Sequence, residues 1–193
     1  MKLLIGLFFA LLSYQAKATF YSQVFAGLVK GESTGGEAEY TGYTTGVKVG
    51  KRFGFLALEG TFEDKHYGLN SGQAVGSLTK AEYEDKQYSL GMRLFFGRFL
   101  TAATGVTTTR SNVTTNNGTP DDVVTRVDGR SGGYGEADLR YSGKKGSFFI
   151  RYRVDSIEKI ENPLIPAAAR LSKNESFMVG LSVNFSDLKG FEK

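Results

Sequence analysis

Phe177-Met178-Val179-Gly180-Leu181-Ser182-Val183-Asn184-Phe185 alternates without a break. Successive side chains of a strand point to opposite faces, so Phe177, Val179, Leu181, Val183 and Phe185 share one face. Met178, Gly180, Ser182 and Asn184 share the other. One face is therefore continuously apolar, and the other is small or polar. A strand with lipid outside and a polar interior has this pattern.

The same period extends upstream. Eight candidate strands, each near the roughly 9–11 residues a tilted strand needs to cross hydrocarbon, fall at 20–30, 40–51, 54–65, 83–96, 99–109, 132–142, 147–157 and 176–185. The connectors alternate in length. The long ones are 31–39, 66–82, 110–131 and 158–175. The short ones centre on Arg52-Phe53, Gly97 and Lys144-Lys145. Alternating tight turns and long loops, with an even strand number, predict an all-β, eight-stranded antiparallel up-and-down transmembrane β-barrel. Pro120, Pro163 and Pro166 all fall in long connectors, where no ladder hydrogen bond is lost. The chain has 25 glycines, 15 phenylalanines and 10 tyrosines. Glycine eases curvature and tight turns, and aromatics favour the two membrane interfaces. Aromatics gather by the short turns (Phe53, Phe95, Phe96, Phe99, Tyr141, Phe148, Phe185) and by the long loops (Tyr40, Tyr43, Tyr83, Tyr88, Phe177).

The N-terminus carries an address. Met1-Lys2 is a positive start, Leu3 to Leu12 is apolar, and Ala16-Lys17-Ala18 has the small-x-small form of a signal-peptidase site. Cleavage between Ala18 and Thr19 is expected, with Ala16 and Ala18 as the recognition residues. The expected organisation is a signal peptide at 1–18, a barrel at 19–185 and a short tail at 186–193. Loss of Lys2 and Lys17 lowers the net charge from +4 to +2. That balance gives no reason to expect a nucleic-acid partner. The chain has no cysteine, which excludes a lipoprotein anchor and disulfides.

The inward phase carries Lys48, Glu59, Glu63, Arg93, Glu136, Asp138, Arg140, Arg151, Arg153 and Asp155. An Arg or Lys facing mid-bilayer lipid costs about 2–4 kcal/mol, so the orientation is one-sided. Glu59, Arg93, Glu136, Asp138, Arg140, Arg151 and Arg153 form the expected lumen network. Keeping the sixth and seventh strands in phase requires paired residue numbers with an odd sum. A register centred between Lys144 and Lys145 sets Asp138 opposite Arg151 and Glu136 opposite Arg153. Glu59 is expected to face Arg93 across the third and fourth strands. An interior this narrow is filled by its own side chains, which favours a charged plug over a conducting path.

Little in the chain suggests catalysis. Acyl-transfer chemistry wants a His beside a hydroxyl or carboxylate. His66 is the single histidine, near the end of the third strand, and reads as a surface residue, with Ser77 and Ser89 as distant candidate partners. No metal-ligand cluster or phosphate-cradling loop is present, so neither a metal nor a cofactor is expected.

On these residues the chain resembles the small eight-stranded outer-membrane barrels of Gram-negative bacteria, the OmpA/OmpX type. The sharpest likeness is to the family's C-terminal assembly signal, carried by Val179, Leu181, Val183 and Phe185. Asp187, Lys189 and Gly190 break the alternation after Phe185. The resemblance implies location in the outer membrane and insertion by the outer-membrane assembly machinery. It also implies contact with outer-membrane lipid and lipopolysaccharide. A monomer with a structural or surface-interaction role is expected; a narrow channel and a lipid-modifying enzyme are the alternatives.

Overall fold

The computed structural model describes residues 19–33, 38–69, 79–116, 118, 121–143, 146–158, 165 and 170–185. The signal segment with Ala16 and Ala18, the tail 186–193, Lys144-Lys145 and Ser77 lie outside the described residues. Eight strands run β1 (Thr19–Ser33), β2 (Glu39–Phe53), β3 (Leu56–Leu69), β4 (Lys80–Phe96), β5 (Leu100–Asn116), β6 (Val123–Ser142), β7 (Ser147–Ile157) and β8 (Leu171–Asn184). Each pairs antiparallel with the next, and β8 closes on β1. No sheet edge is left along the closed part of the wall, which removes the unpaired backbone groups an open sheet would expose to lipid.

The phase read from sequence holds around the wall. Val24, Leu28, Val47, Leu90, Val106, Leu139 and Leu181 are exposed on the outer surface. Their chain neighbours turn inward, and Gln23, Phe25, Val29, Lys48, Ser89, Thr107, Asp138 and Ser182 among them are buried. Aromatics sit at both borders of this apolar band: Phe53, Phe55, Phe96 and Phe99 beside the short turns, and Tyr43, Tyr88, Tyr152 and Phe177 toward the long loops. Tyr40 and Tyr83, expected in that second belt, point into the barrel and are fully buried. In β2 the outward positions are odd-numbered, so Tyr40 is on the inner phase. In β4 the outward positions are even-numbered, so Tyr83 is on the inner phase as well.

Several boundaries differ from expectation. The β2–β3 turn is Gly54-Phe55 rather than Arg52-Phe53. Gly54 has φ 64°, a left-handed value that glycine reaches without steric cost. β5 continues to Asn116 and β6 begins at Val123, not Gly132. The reason is a β-bulge. Thr109 pairs with Arg130, but Ser111 pairs with Val127, so Asp128 and Gly129 together oppose Arg110. Gly129 takes φ 73° there. Across the bulge the inward phase of β6 changes from odd to even numbers, which hides the first part of the strand from a period-two reading. Above the barrel, Lys80 Nζ and Asn116 Nδ2 each donate to Asp122 at 2.9 Å. Those two hydrogen bonds, Lys80 first, hold the Asp122 carboxyl below its ordinary value.

Glycine makes room where large rings cross the interior. Gly91 on β4 and Gly105 on β5 lie against Tyr134 from β6. A Cβ at Gly91 would stand 2.0 Å from the Tyr134 hydroxyl oxygen. Any larger residue there displaces the ring.

Candidate functional site

The candidate site is the lumen. Inward positions of five strands deliver its charges, and two neutral clusters result. The cluster nearer the short turns joins Lys48 (β2), Glu59 (β3), Arg93 (β4), Glu136 and Asp138 (β6) and Arg151 (β7), three cations and three carboxylates. Arg93 is its centre, donating to Glu59, to Glu136 and to Asp138 at 2.6 Å. Lys48 bridges Glu59 at 3.0 Å and also reaches Glu136. Arg151 grips both oxygens of Asp138, at 2.8 and 3.0 Å, and donates to Gln23 at 2.6 Å. Tyr21 donates to Glu59. Planar guanidinium forks suit this shared, bidentate pairing.

The second cluster lies one layer further from the short turns. It joins Glu63 and Lys65 (β3) to Arg153 and Asp155 (β7), two of each sign. Arg153 donates to Glu63 at 2.8 Å and to Asp155 at 2.7 Å, and Lys65 donates to Asp155 at 2.7 Å. Gln87 and Ser89 supply further bonds to Asp155 and from Arg153. Arg153 also stacks its guanidinium 4.1 Å from the Tyr134 ring centroid. All ten ionised side chains are at most 5% exposed.

The arrangement refines the expected pairs. β6 and β7 adopt the register that sets Asp138 opposite Arg151 and Glu136 opposite Arg153. Asp138 and Arg151 are hydrogen-bonded partners. Glu136 and Arg153 are neighbours at 3.6 Å, but each makes its short contacts elsewhere. Glu59 does not face Arg93: its register partner is Gly91, and Arg93 reaches it diagonally. Arg140 stands outside both clusters, because Arg93 and Arg151 already occupy Asp138. Sequence reasoning had Lys48, Glu63 and Asp155 on the inner phase without tying them to partners, and it missed Lys65 and Asp85. Parity could have found both: Lys65 continues Glu59, Thr61, Glu63, and Asp85 precedes Gln87 and Ser89 on the inner phase.

Beyond the clusters the lumen changes character. Tyr67 and Tyr83 stack at 5.2 Å, and Tyr40 meets Tyr83 edge-on at 5.5 Å. Val29, Val113 and Leu171 pack around them, and Ile165, in the connector between β7 and β8, is buried in the same cluster. Tyr67 donates to Asp85 and accepts from Asn174 at 3.4 Å. Arg130 enters this layer from β6, donating to the Leu171 carbonyl at 2.9 Å and to Ser111 at 3.1 Å.

His66 is on the outer surface, stacked on Tyr43 with ring centroids 5.1 Å apart and 3.4 Å from Asp64. Ser89 is on the lumen side of the wall, so the two cannot form a nucleophile–base pair. Among the described residues no group of three or more His, Cys, Asp or Glu is placed to hold a metal ion. Val179 and Leu181 are exposed on the outer face, and Phe185, one residue past the end of β8, is 48% exposed.

No protein-family model matches this chain, and no curated protein matches it. Solved structures do share its architecture. Neisserial surface protein A is similar with a TM-score of 0.56 and 15% identity, over 86% of this chain and 97% of that one. Ail, the attachment invasion locus protein of Yersinia pestis, is similar with a TM-score of 0.50 and 11% identity, over 87% and 98%. The fold is that of the small eight-stranded outer-membrane β-barrels.

Proposed function

We propose that the chain is an exported, signal-cleaved outer-membrane protein that works as a sealed barrel, with a structural or surface-interaction role and no catalysis. The observation that carries this reading is the pair of neutral ion clusters packed across the lumen. Every one of their charges has a partner of opposite sign, so the interior offers a passing ion no vacant path. The apolar outer band, bordered by aromatics, supports insertion in a bilayer with lipopolysaccharide and phospholipid as its surroundings. Planar-bilayer recordings test the plug. The unaltered protein is expected to give no steady conductance, whereas Glu136→Gln combined with Arg153→Gln opens one. Steady ion flow through the unaltered chain would overturn the plug in favour of a narrow channel.

Val179, Leu181, Val183 and Phe185 lie along the outward phase of the closing strand, and the assembly machinery is the proposed reader of that apolar row. Phe185→Ala is expected to lower the yield of heat-modifiable folded protein in the membrane. Deletion of 186–193 should leave that yield unchanged, and equal yields for both variants would remove Phe185 from the signal.

A further inference from the structure

The ten charges of the two clusters cancel, but the arginines below them do not. Arg140 follows Asp138 by two residues on β6, so it points into the lumen one layer closer to the short turns. Its Nε is buried and has no hydrogen-bond partner. Arg52 approaches from β2, its Nε spent on the Gly54 carbonyl at 2.6 Å. The two guanidinium carbons lie 4.0 Å (Arg52) and 5.4 Å (Arg140) from the centroid of one ring, Phe95. Arg98, in the β4–β5 turn, joins them at the rim of a cavity of about 150 Å³. None of the residues lining it is acidic, and the hydroxyl of its one tyrosine, Tyr21, already donates to Glu59.

Like charges gathered around one cavity repel, and the repulsion grows as water is excluded. The Phe95 ring softens that cost through its π face without neutralising either cation. An oxyanion does neutralise them. Guanidinium forks are built to grip phosphate and carboxylate oxygens through several N–H groups at once. The cavity also exceeds the roughly 10–15 Å³ that a single water requires, which leaves room for a small ion.

We propose that this cavity, at the short-turn mouth of the barrel, binds a phosphate group between Arg140 and Arg52, with Arg98 at the entrance. The phosphate could come from dissolved inorganic phosphate or from a phospholipid headgroup of the adjoining leaflet. Both present the same oxygens, and exposed Phe55, Phe96 and Phe99 place that mouth at a lipid border.

The test uses the full chain refolded in a phosphate-free maltoside detergent. Sodium phosphate is titrated against sodium chloride of matched ionic strength. The arginine Nε–H resonance of Arg140 should move saturably with phosphate, and the urea midpoint should climb with the logarithm of its concentration. Arg140→Gln should weaken the apparent affinity by about tenfold or more, whereas Arg126→Gln, at the opposite end of the barrel, should leave it unchanged. The resonance is read on the unaltered chain, so the result does not depend on the variant folding. A parallel titration with phosphatidylglycerol micelles separates the sources. A response to free phosphate assigns the dissolved ion, and a response to the lipid without one to free phosphate assigns the headgroup. No response to either, or an equal response in Arg140→Gln, overturns the site.

Discussion

The two halves of the lumen solve one packing problem with different chemistry. Toward the short turns, ten ionised side chains fill the space and satisfy one another. Toward the long loops, tyrosines and aliphatic residues fill it, with Asp85 and Arg130 as the buried charges there. The charged half is exacting, because each group depends on partners from other strands. Replacing a buried ion pair with well-packed apolar groups is often neutral, but removing one partner strands the other. The apolar half is more forgiving, because burial is non-directional and a truncated side chain loses contacts without leaving a charge behind. The clusters therefore tie together strands that are not neighbours in the wall, β4 to β6 and β3 to β7 among them, while the aromatic layer fills the end beneath the loops.

The contrast is most strongly tested at Asp138, which Arg93 and Arg151 both engage. Asp138→Ala is expected to destabilise the barrel by about 3–5 kcal/mol, read as the urea midpoint after refolding into micelles. In the charge swap, Asp138→Arg with Arg151→Asp should recover part of the loss of Asp138→Arg alone. It recovers only part, because Arg93 then faces an arginine. A double variant no more stable than the additive expectation would show that the pair does not interact.

In the other half, Leu171→Ala removes a fully buried side chain from the aromatic layer. A loss of about 2–4 kcal/mol is expected, with folded barrel still formed. A loss larger than that of Asp138→Ala would reverse the ranking of the two halves. Tyr67→Phe sharpens the comparison at the smallest scale. It keeps the stacked ring against Tyr83 but removes the donor to Asp85, leaving a buried carboxylate oxygen without that bond. The expected cost is about 1–3 kcal/mol. An unchanged midpoint would mean that Asp85 draws nothing from the tyrosine.

Much of this was legible in residue order. The period of two along β8 separates Leu181 from Ser182, and the same alternation places Arg151 and Arg153 inside and Ile150 and Tyr152 outside. The β6–β7 register followed because a one-residue slip would have turned every side chain to the wrong face. The bulge at Asp128-Gly129 was not legible, since its one extra residue reverses the phase and erases the local pattern. The β2–β3 turn lies two residues later than expected, because Arg52 and Phe53 continue the ladder opposite Ala57 and Leu56 and Gly54 is the residue that takes the left-handed backbone.

Sequence by itself determined the strand count, the two faces of the wall wherever the alternation runs unbroken, and the sign of most charges in the lumen (Lys65, Asp85 and Arg130 apart), since each follows from side-chain alternation along one strand. The tertiary structure decided who pairs with whom. Closing the wall brings Arg93 of β4 to Glu136 of β6, and Lys65 of β3 to Asp155 of β7. It also leaves Arg140 without the carboxylate two residues away. Those meetings depend on strand stagger and barrel curvature, which bring distant strands within a side chain's reach and which no single strand encodes.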